Sequence, residues 1–204
     1  MKEIKNFIDP NEAKYLMRMI DKYAEKSMVV GLGKQANEYS IARTSCTANL
    51  VSNDPTVESI HRKIAKYLGL NIKKGESLQG QRYEVGQYFR NHQDYFKGDS
   101  YDRNCLSSGN RTYTFMLYLN ENFEGGNTDF PHLKKSIKPE QGKALIWNNL
   151  QHGHTNEYMT HGGTDVIRGT KYIITSWWRE NVWDARGDQK EYEKLLKSSQ
   201  LSII

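Results

Sequence analysis

Cysteine is scarce in this chain, and long apolar runs are missing altogether. Cys46 and Cys105 are the two cysteines in 204 residues, and they show no Cys-x-x-Cys spacing. That excludes a disulfide framework and a zinc finger, and two free thiols in a reducing compartment are expected. No stretch of about 18 apolar residues occurs, so no membrane span is expected. The opening MKEIKNFIDPNEAKYL carries charges throughout and has no apolar core. No signal peptide is therefore expected, and the expected compartment is the cytoplasm of a bacterium or a virus-infected host, not the secretory route. Repeats and low-complexity tracts are also lacking. The formal charge of +5 is mildly basic, but Lys and Arg are spread along the chain with no concentrated patch. That disfavours a nucleic-acid partner. Thirteen Tyr, six Phe and four Trp supply an aromatic-rich core.

The length suits one domain. Asp9-Pro10-Asn11-Glu12 reads as a helix start, with Asp9 as N-cap and Glu12 three residues on. Ala13, Leu16, Met17, Ile20 and Tyr23 then recur at helical spacing to about Glu25. Asp54-Pro55 opens a second helix with the stripe Val57, Ile60, Ile64 and Leu68, ended by Gly69. Beyond this the period shortens. Residues 77–90 alternate around a turn at Glu84–Gly86, and 112–120, 143–147 and 171–178 are β-branched and aromatic strands. Two helices followed by short strands and Gly-rich turns predict an α+β fold. Its core is a jelly-roll, or double-stranded β-helix, at about 77–180, with the helical part at about 9–69 packed outside. Residues 1–187 are expected to form the single domain, and 188–204 a charged C-terminal helical tail.

His92-Gln93-Asp94 carries the chemistry. Residues at i and i+2 of a strand share a face. Two imidazoles and a carboxylate can occupy one face of an octahedral metal and leave three positions open, the arrangement of non-heme Fe(II) oxygenases. His-x-Asp alone is weak, since surface pairs of this kind are common. The second histidine has to come from His132, His152, His154 or His161. His132, His152 and His154 lie in polar turns and read as exposed loop residues, and His61 reads as structural on the second helix. His161 differs because a turn at Arg168-Gly169-Thr170 leads from it into a strand that begins with Lys171. A lysine there is costly to bury without an anion beside it. The co-substrate expected for such a site is 2-oxoglutarate.

Five segments together resemble the prolyl 4-hydroxylase family of the Fe(II)/2-oxoglutarate oxygenase superfamily, of the small bacterial, algal and viral type. They are ARTSCTANL (42–50), GESLQGQRYEVGQYFRNHQDYF (75–96), NRTYTFMLYLNENFEGGNTDFP (110–131), IKPEQGKALIW (137–147) and HGGTDVIRGTKYIITSWW (161–178). The resemblance runs from about residue 4 to residue 180. It implies that His92, Asp94 and His161 bind Fe(II). It implies that Lys171 pairs with the distal carboxylate of 2-oxoglutarate, with Tyr83 and Thr128 helping to hold it. It assigns Arg43, Ser45, Glu76, Arg111 and Trp177 to the peptide groove or its support. It makes the segment between Asp94 and Arg111 a mobile loop over the substrate. The implied reaction is hydroxylation of a peptidyl proline at C4, using O2 and releasing succinate and CO2, with ascorbate as reductant.

The chain departs from the family pattern at three places. Phe89 stands where many relatives have Tyr, Arg179 where many have His, and Thr164-Asp165 where Cys-Pro is usual. Phe89 and Arg179 are expected on the substrate side, which leaves a non-proline residue, a small molecule or a nucleic acid as the alternative substrate. Apolar walls such as Phe115, Leu117, Trp147 and Ile173 suit a cleft that excludes water, and each also suits plain core. A binding module with an inactive site is the remaining rival, and metal stoichiometry separates it from an enzyme.

Overall fold

Asp9 and Asp54 each cap a helix of fourteen residues, Pro10–Tyr23 and Pro55–Leu68, in the computed structural model of this protein. The model describes residues 1–27, 42–50 and 53–201. Asp9 accepts from the backbone N–H groups of Asn11 and Glu12, and Glu12 reaches back to the Asp9 N–H, a complete capping box. Asp54 accepts from Thr56 and Val57, and the second helix stops at left-handed Gly69. Both helices lay their apolar stripes on one sheet.

That sheet has seven antiparallel strands. Their order is Lys2–Ile4, Ala144–Asn148, Arg111–Tyr118, Lys171–Arg179, Gln79–Tyr83, Cys46–Asn49 and Glu25–Lys26. A four-stranded antiparallel sheet runs Phe89–His92, His161–Gly163, Thr128–Phe130 and Lys135–Ile137. Two short ribbons complete the β-structure of the described residues, Glu124–Gly125 with Val166–Arg168 and Leu150–Gln151 with His154–Thr155. This is the jelly-roll core of an α+β fold, with the N-terminal helices outside.

Period-2 alternation divides the large sheet's side chains between two cores. Phe115, Leu117, Ala144, Ile146, Ile174 and Trp178 meet Leu16, Ile20, Ile60 and Ile64 of the helices. Each of these four helix side chains is fully buried, worth about 1.5–3 kcal/mol apiece. The helix comes so close that a Cβ at Gly80 would lie 2.3 Å from Ile20 Cγ1, so only glycine fits that strand position. The opposite face carries Tyr83, Met116, Tyr118, Leu145, Trp147 and Ile173 toward Phe130 and Ile137 of the small sheet. Phe115 and Leu117 therefore belong to the helix-side core and not to the walls of the cleft. Strand 111–118 is covered on both faces, so its apolar run does not show which residues face which way.

The segment between Asp94 and Arg111 holds a short helix, Asp99–Asn104, and packs against the C-terminal helix Ala185–Leu201. Buried Asp188 of that last helix accepts from the N–H groups of Ser107 and Ser108, at 2.6 and 2.8 Å, and from Ser108 Oγ at 2.6 Å. Residues 202–204 of the expected tail lie outside the described residues. Cys46 and Cys105 are free thiols.

Candidate active site

The register of the small sheet builds the site. His161 stands directly opposite His92 across the antiparallel pair, and the two ring centroids are 4.3 Å apart. Asp94 lies two residues past the end of the His92 strand. His92 Nε2 lies 3.6 Å from Asp94 Oδ1, and His161 Nε2 lies 3.7 Å from Asp94 Oδ2. One ligand atom from each of the three residues falls within 4.8 Å of the others, the described residues' candidate metal cluster. His61, by contrast, packs its ring against Trp178 on the helix side. His132, His152 and His154 are exposed.

Each ligand is held from behind. His92 Nδ1–H donates to the Arg90 carbonyl and His161 Nδ1–H to the Met159 carbonyl, both at 2.9 Å. Those bonds fix the tautomer that leaves each Nε2 lone pair free toward the centre. Burial, and then the neighbouring His161, pushes the His92 pKa down to about 3, so the ring is neutral at pH 7. Burial works against the Asp94 carboxylate, but His161, His92 and Arg111 outweigh it and hold its pKa below the ordinary carboxylate value. Thr114 Oγ1 donates to Asp94 Oδ2 at 2.6 Å and accepts from Asn149 Nδ2 at 2.9 Å. Two imidazole Nε2 atoms and one anchored carboxylate fit Fe(II) in three adjacent positions.

Lys171 opens strand Lys171–Arg179 and enters the same cleft, lined also by Tyr83, Thr128 and the three candidate ligands. It is 3 % exposed. Its Nζ donates to the Gly126 carbonyl at 2.7 Å and faces the rings of Tyr83 and Tyr118 at 5.3 and 5.8 Å. Burial pushes its pKa down from 10.5 to about 7, with Asp129 pulling weakly the other way. Tyr118 Oη donates to Thr128 Oγ1 at 2.6 Å. Thr114, Tyr118 and Asn149 were not singled out from the sequence. The signal for Thr114 and Tyr118 was the i, i+2, i+4 face that they share with Met116.

The expected groove residues divide into two groups. Arg43, Phe89 and Trp177 line the cleft with the triad. Arg43 lies over the Phe89 ring at 5.0 Å, and Phe89 stacks on His92 with centroids 3.7 Å apart. Ser45 is buried and accepts from Arg43 Nε at 3.0 Å. Glu76 and Arg111 sit behind Trp177. Glu76 accepts from Arg111 Nε and Nη2, both at 2.7 Å, and the Arg111 guanidinium stacks 3.9 Å from the Trp177 ring centre. Burial opposes the Glu76 charge, but Arg111 and Arg179 hold its pKa below the ordinary value. Arg179, expected on the substrate side, lies behind this wall. It is 4 % exposed. Its donors are taken by Glu76 at 2.6 Å and by the carbonyls of Asn104 and Gly109 at 3.0 and 2.9 Å.

The profile of the 2OG-Fe(II) oxygenase superfamily matches residues 78–179, which is half of the chain and all of the cleft strands from Gln79 to Arg179. The protein named "Probable prolyl 4-hydroxylase 10" of Arabidopsis thaliana is 33 % identical over 195 residues, 85 % of this chain and 66 % of its own length. Prolyl 4-hydroxylase 1 of the same plant is 30 % identical over 194 residues, 87 % of this chain and 68 % of its own. The chain thus spans about two thirds of the length of these plant relatives. Among solved structures, the viral collagen prolyl hydroxylase of Paramecium Bursaria Chlorella virus-1, in its 2OG complex, superposes with a TM-score of 0.68. It is 25 % identical, and the match covers 87 % of this chain and 94 % of the viral one. The chain belongs to the prolyl 4-hydroxylase family of the 2OG-Fe(II) oxygenase superfamily.

Proposed function

We propose that this protein is an Fe(II)- and 2-oxoglutarate-dependent dioxygenase that hydroxylates a peptidyl proline, at C4, and releases succinate and CO2. The observation that carries it is the meeting, in one cleft, of the His92–Asp94–His161 cluster with a buried lysine that has no carboxylate bonded to it among the described residues. The three ligands would hold Fe(II), which when bound supplies activation of O2 coupled to loss of CO2 from 2-oxoglutarate.

The protein's part is binding, orientation and exclusion of water. Lys171 pairs with the distal carboxylate, and that charge-assisted bond restores its protonated form against burial. The Tyr118–Thr128 pair and the Tyr83 ring close the pocket around the same end. Arg43, Phe89 and Trp177 form the wall past which a peptide reaches the metal. Glu76 fixes Arg111 against Trp177, so the indole has one orientation when the substrate arrives. Ascorbate would be the reductant.

The test is succinate formation with Fe(II), 2-oxoglutarate and ascorbate across proline-containing peptides, read with peptide mass. Peptide-stimulated succinate and a gain of one oxygen on proline are expected. His161→Ala should abolish both while the circular dichroism of the fold is kept. Succinate that no peptide stimulates would overturn the proline assignment, and activity retained by His161→Ala would overturn the metal assignment.

A further inference from the structure

Two tryptophans on the large sheet treat their indole N–H groups in opposite ways. Trp178, fully buried on the helix side, donates Nε1–H to Ser176 Oγ at 3.0 Å. Trp147 is 2 % exposed, and its Nε1 finds no acceptor among the described residues. A buried donor left unpaired is unfavourable, and phenylalanine would fill similar space without it. The difference between the two indoles lies in where they sit, and Trp177, the third indole of this sheet, likewise lines the cleft with its Nε1 unpaired among the described residues. Trp178 is core, whereas Trp147 lines the cleft that holds the metal cluster and Lys171.

Its neighbours place Trp147 at the metal end of that cleft. The Trp147 ring lies 4.6 Å from the His161 ring and 5.4 Å from Phe130, centre to centre. Its partner across the sheet is Thr114, the residue that holds Asp94 Oδ2. Phe130 offers no hydrogen-bond acceptor, and the His161 Nδ1–H is already committed to the Met159 carbonyl. Trp147 Nε1–H thus has no acceptor among the described residues, and a co-substrate bound at this end of the cleft would present oxygens.

We propose that the Trp147 indole N–H is a positioning donor for the co-substrate. It hydrogen-bonds an oxygen at the keto-acid end of bound 2-oxoglutarate, the end opposite the carboxylate paired with Lys171. The proposal rests on the reading of the cleft as a 2-oxoglutarate site. It gives the co-substrate a third kind of anchor besides the metal ligands and Lys171, one that fixes rotation of the keto-acid plane. Donation of one neutral hydrogen bond corresponds to about a tenfold change in affinity.

The test needs no turnover. Mn(II) replaces Fe(II), and 2-oxoglutarate binding is measured by calorimetry on the full chain and on Trp147→Phe, which keeps an aromatic ring and removes the donor. Roughly tenfold weaker 2-oxoglutarate binding is expected in the variant, with Mn(II) affinity in the absence of 2-oxoglutarate unchanged. In the Zn(II)-loaded wild type, the ¹⁵N-indole proton signal of Trp147, assigned by its loss in the variant, should move downfield when 2-oxoglutarate is added. That second readout stands even where the variant folds poorly. Equal 2-oxoglutarate affinity in both proteins with an unmoved indole signal overturns the proposal. So does a loss of Mn(II) affinity in the variant before any 2-oxoglutarate is present, since Trp147 then acts by packing on His161. If the wild type itself does not bind 2-oxoglutarate, the reading of the cleft fails and takes the proposal with it.

Discussion

Lys171→Met should make the ligand-free protein more stable while destroying co-substrate binding. The folded-state pKa of Lys171 is about 7, against 10.5 for an unburied lysine. The unfolded chain therefore holds a proton on this amine across a pH range where the folded chain has released it. Stability rises with pH wherever the unfolded state binds more protons. The penalty is fully present below pH 7 and disappears as the pH climbs to about 10.5. At 1.36 kcal/mol per unit, it amounts to about 4 kcal/mol near pH 7 and about 2 kcal/mol near pH 9. Methionine removes the penalty but leaves the Gly126 carbonyl without its 2.7 Å partner, a loss of roughly 1–2 kcal/mol. The net gain is about 2 kcal/mol near pH 7, or roughly 4–8 °C in Tm for a chain of this size, and it falls to nearly nothing by about pH 9. Thermal unfolding of the metal-free, ligand-free proteins across that pH range measures it. With Mn(II) present in both proteins, adding 2-oxoglutarate should raise the wild-type Tm further and leave the variant's unmoved. A variant less stable than wild type near pH 7, with a gap that does not change with pH, would refute the reasoning.

Three further outcomes follow from the contacts around the cleft. Thr114→Val frees Asp94 Oδ2 and strands Asn149 Nδ2, and should weaken Mn(II) binding about tenfold in a metal titration. Glu76→Gln leaves Arg111 and Arg179 buried without their shared carboxylate. It should lower stability by about 3–5 kcal/mol in urea unfolding, and a loss below about 1 kcal/mol would mean that the two guanidinium groups do not depend on it. Asp188→Ala removes three accepted hydrogen bonds from Ser107 and Ser108. Limited proteolysis should then cut within residues 97–110 faster than in wild type, with the rest of the chain unaffected.

Features encoded by neighbours in sequence could be read before the structure. Both helix starts show a capping residue followed by proline, and both helices begin there. His161 stood out from the other histidines through the Lys171 strand that follows it, and its own register with His92 is what brings it to the cluster. Features that depend on partners far along the chain could not be read. Thr128–Phe130 and His161–Gly163 are three residues each, too short for any period to show. Arg179 sits beside Trp178 in sequence, but its role is set by Glu76 and by carbonyls some seventy residues away. The family resemblance suggested a substrate contact, and burial against those partners makes Arg179 a brace instead. Asp188 stands in a charged helical tail, and nothing beside it in sequence points to its burial, because Ser107 and Ser108 are some eighty residues distant.

Strand Arg111–Tyr118 has a consequence for how this family can change over time. Thr114, Met116 and Tyr118 serve the cleft, and Phe115 and Leu117 serve the helices. Substitutions at one parity can retune the cleft without disturbing the helix layer, and substitutions at the other can repack that layer without touching the chemistry. A one-residue insertion or deletion exchanges the two sets at once. It would put Phe115 where Thr114 supports Asp94 and would turn a hydroxyl into the aliphatic core. This strand can therefore diverge by replacement but not by change of length, and length variation among descendants should collect in the turns on either side of it.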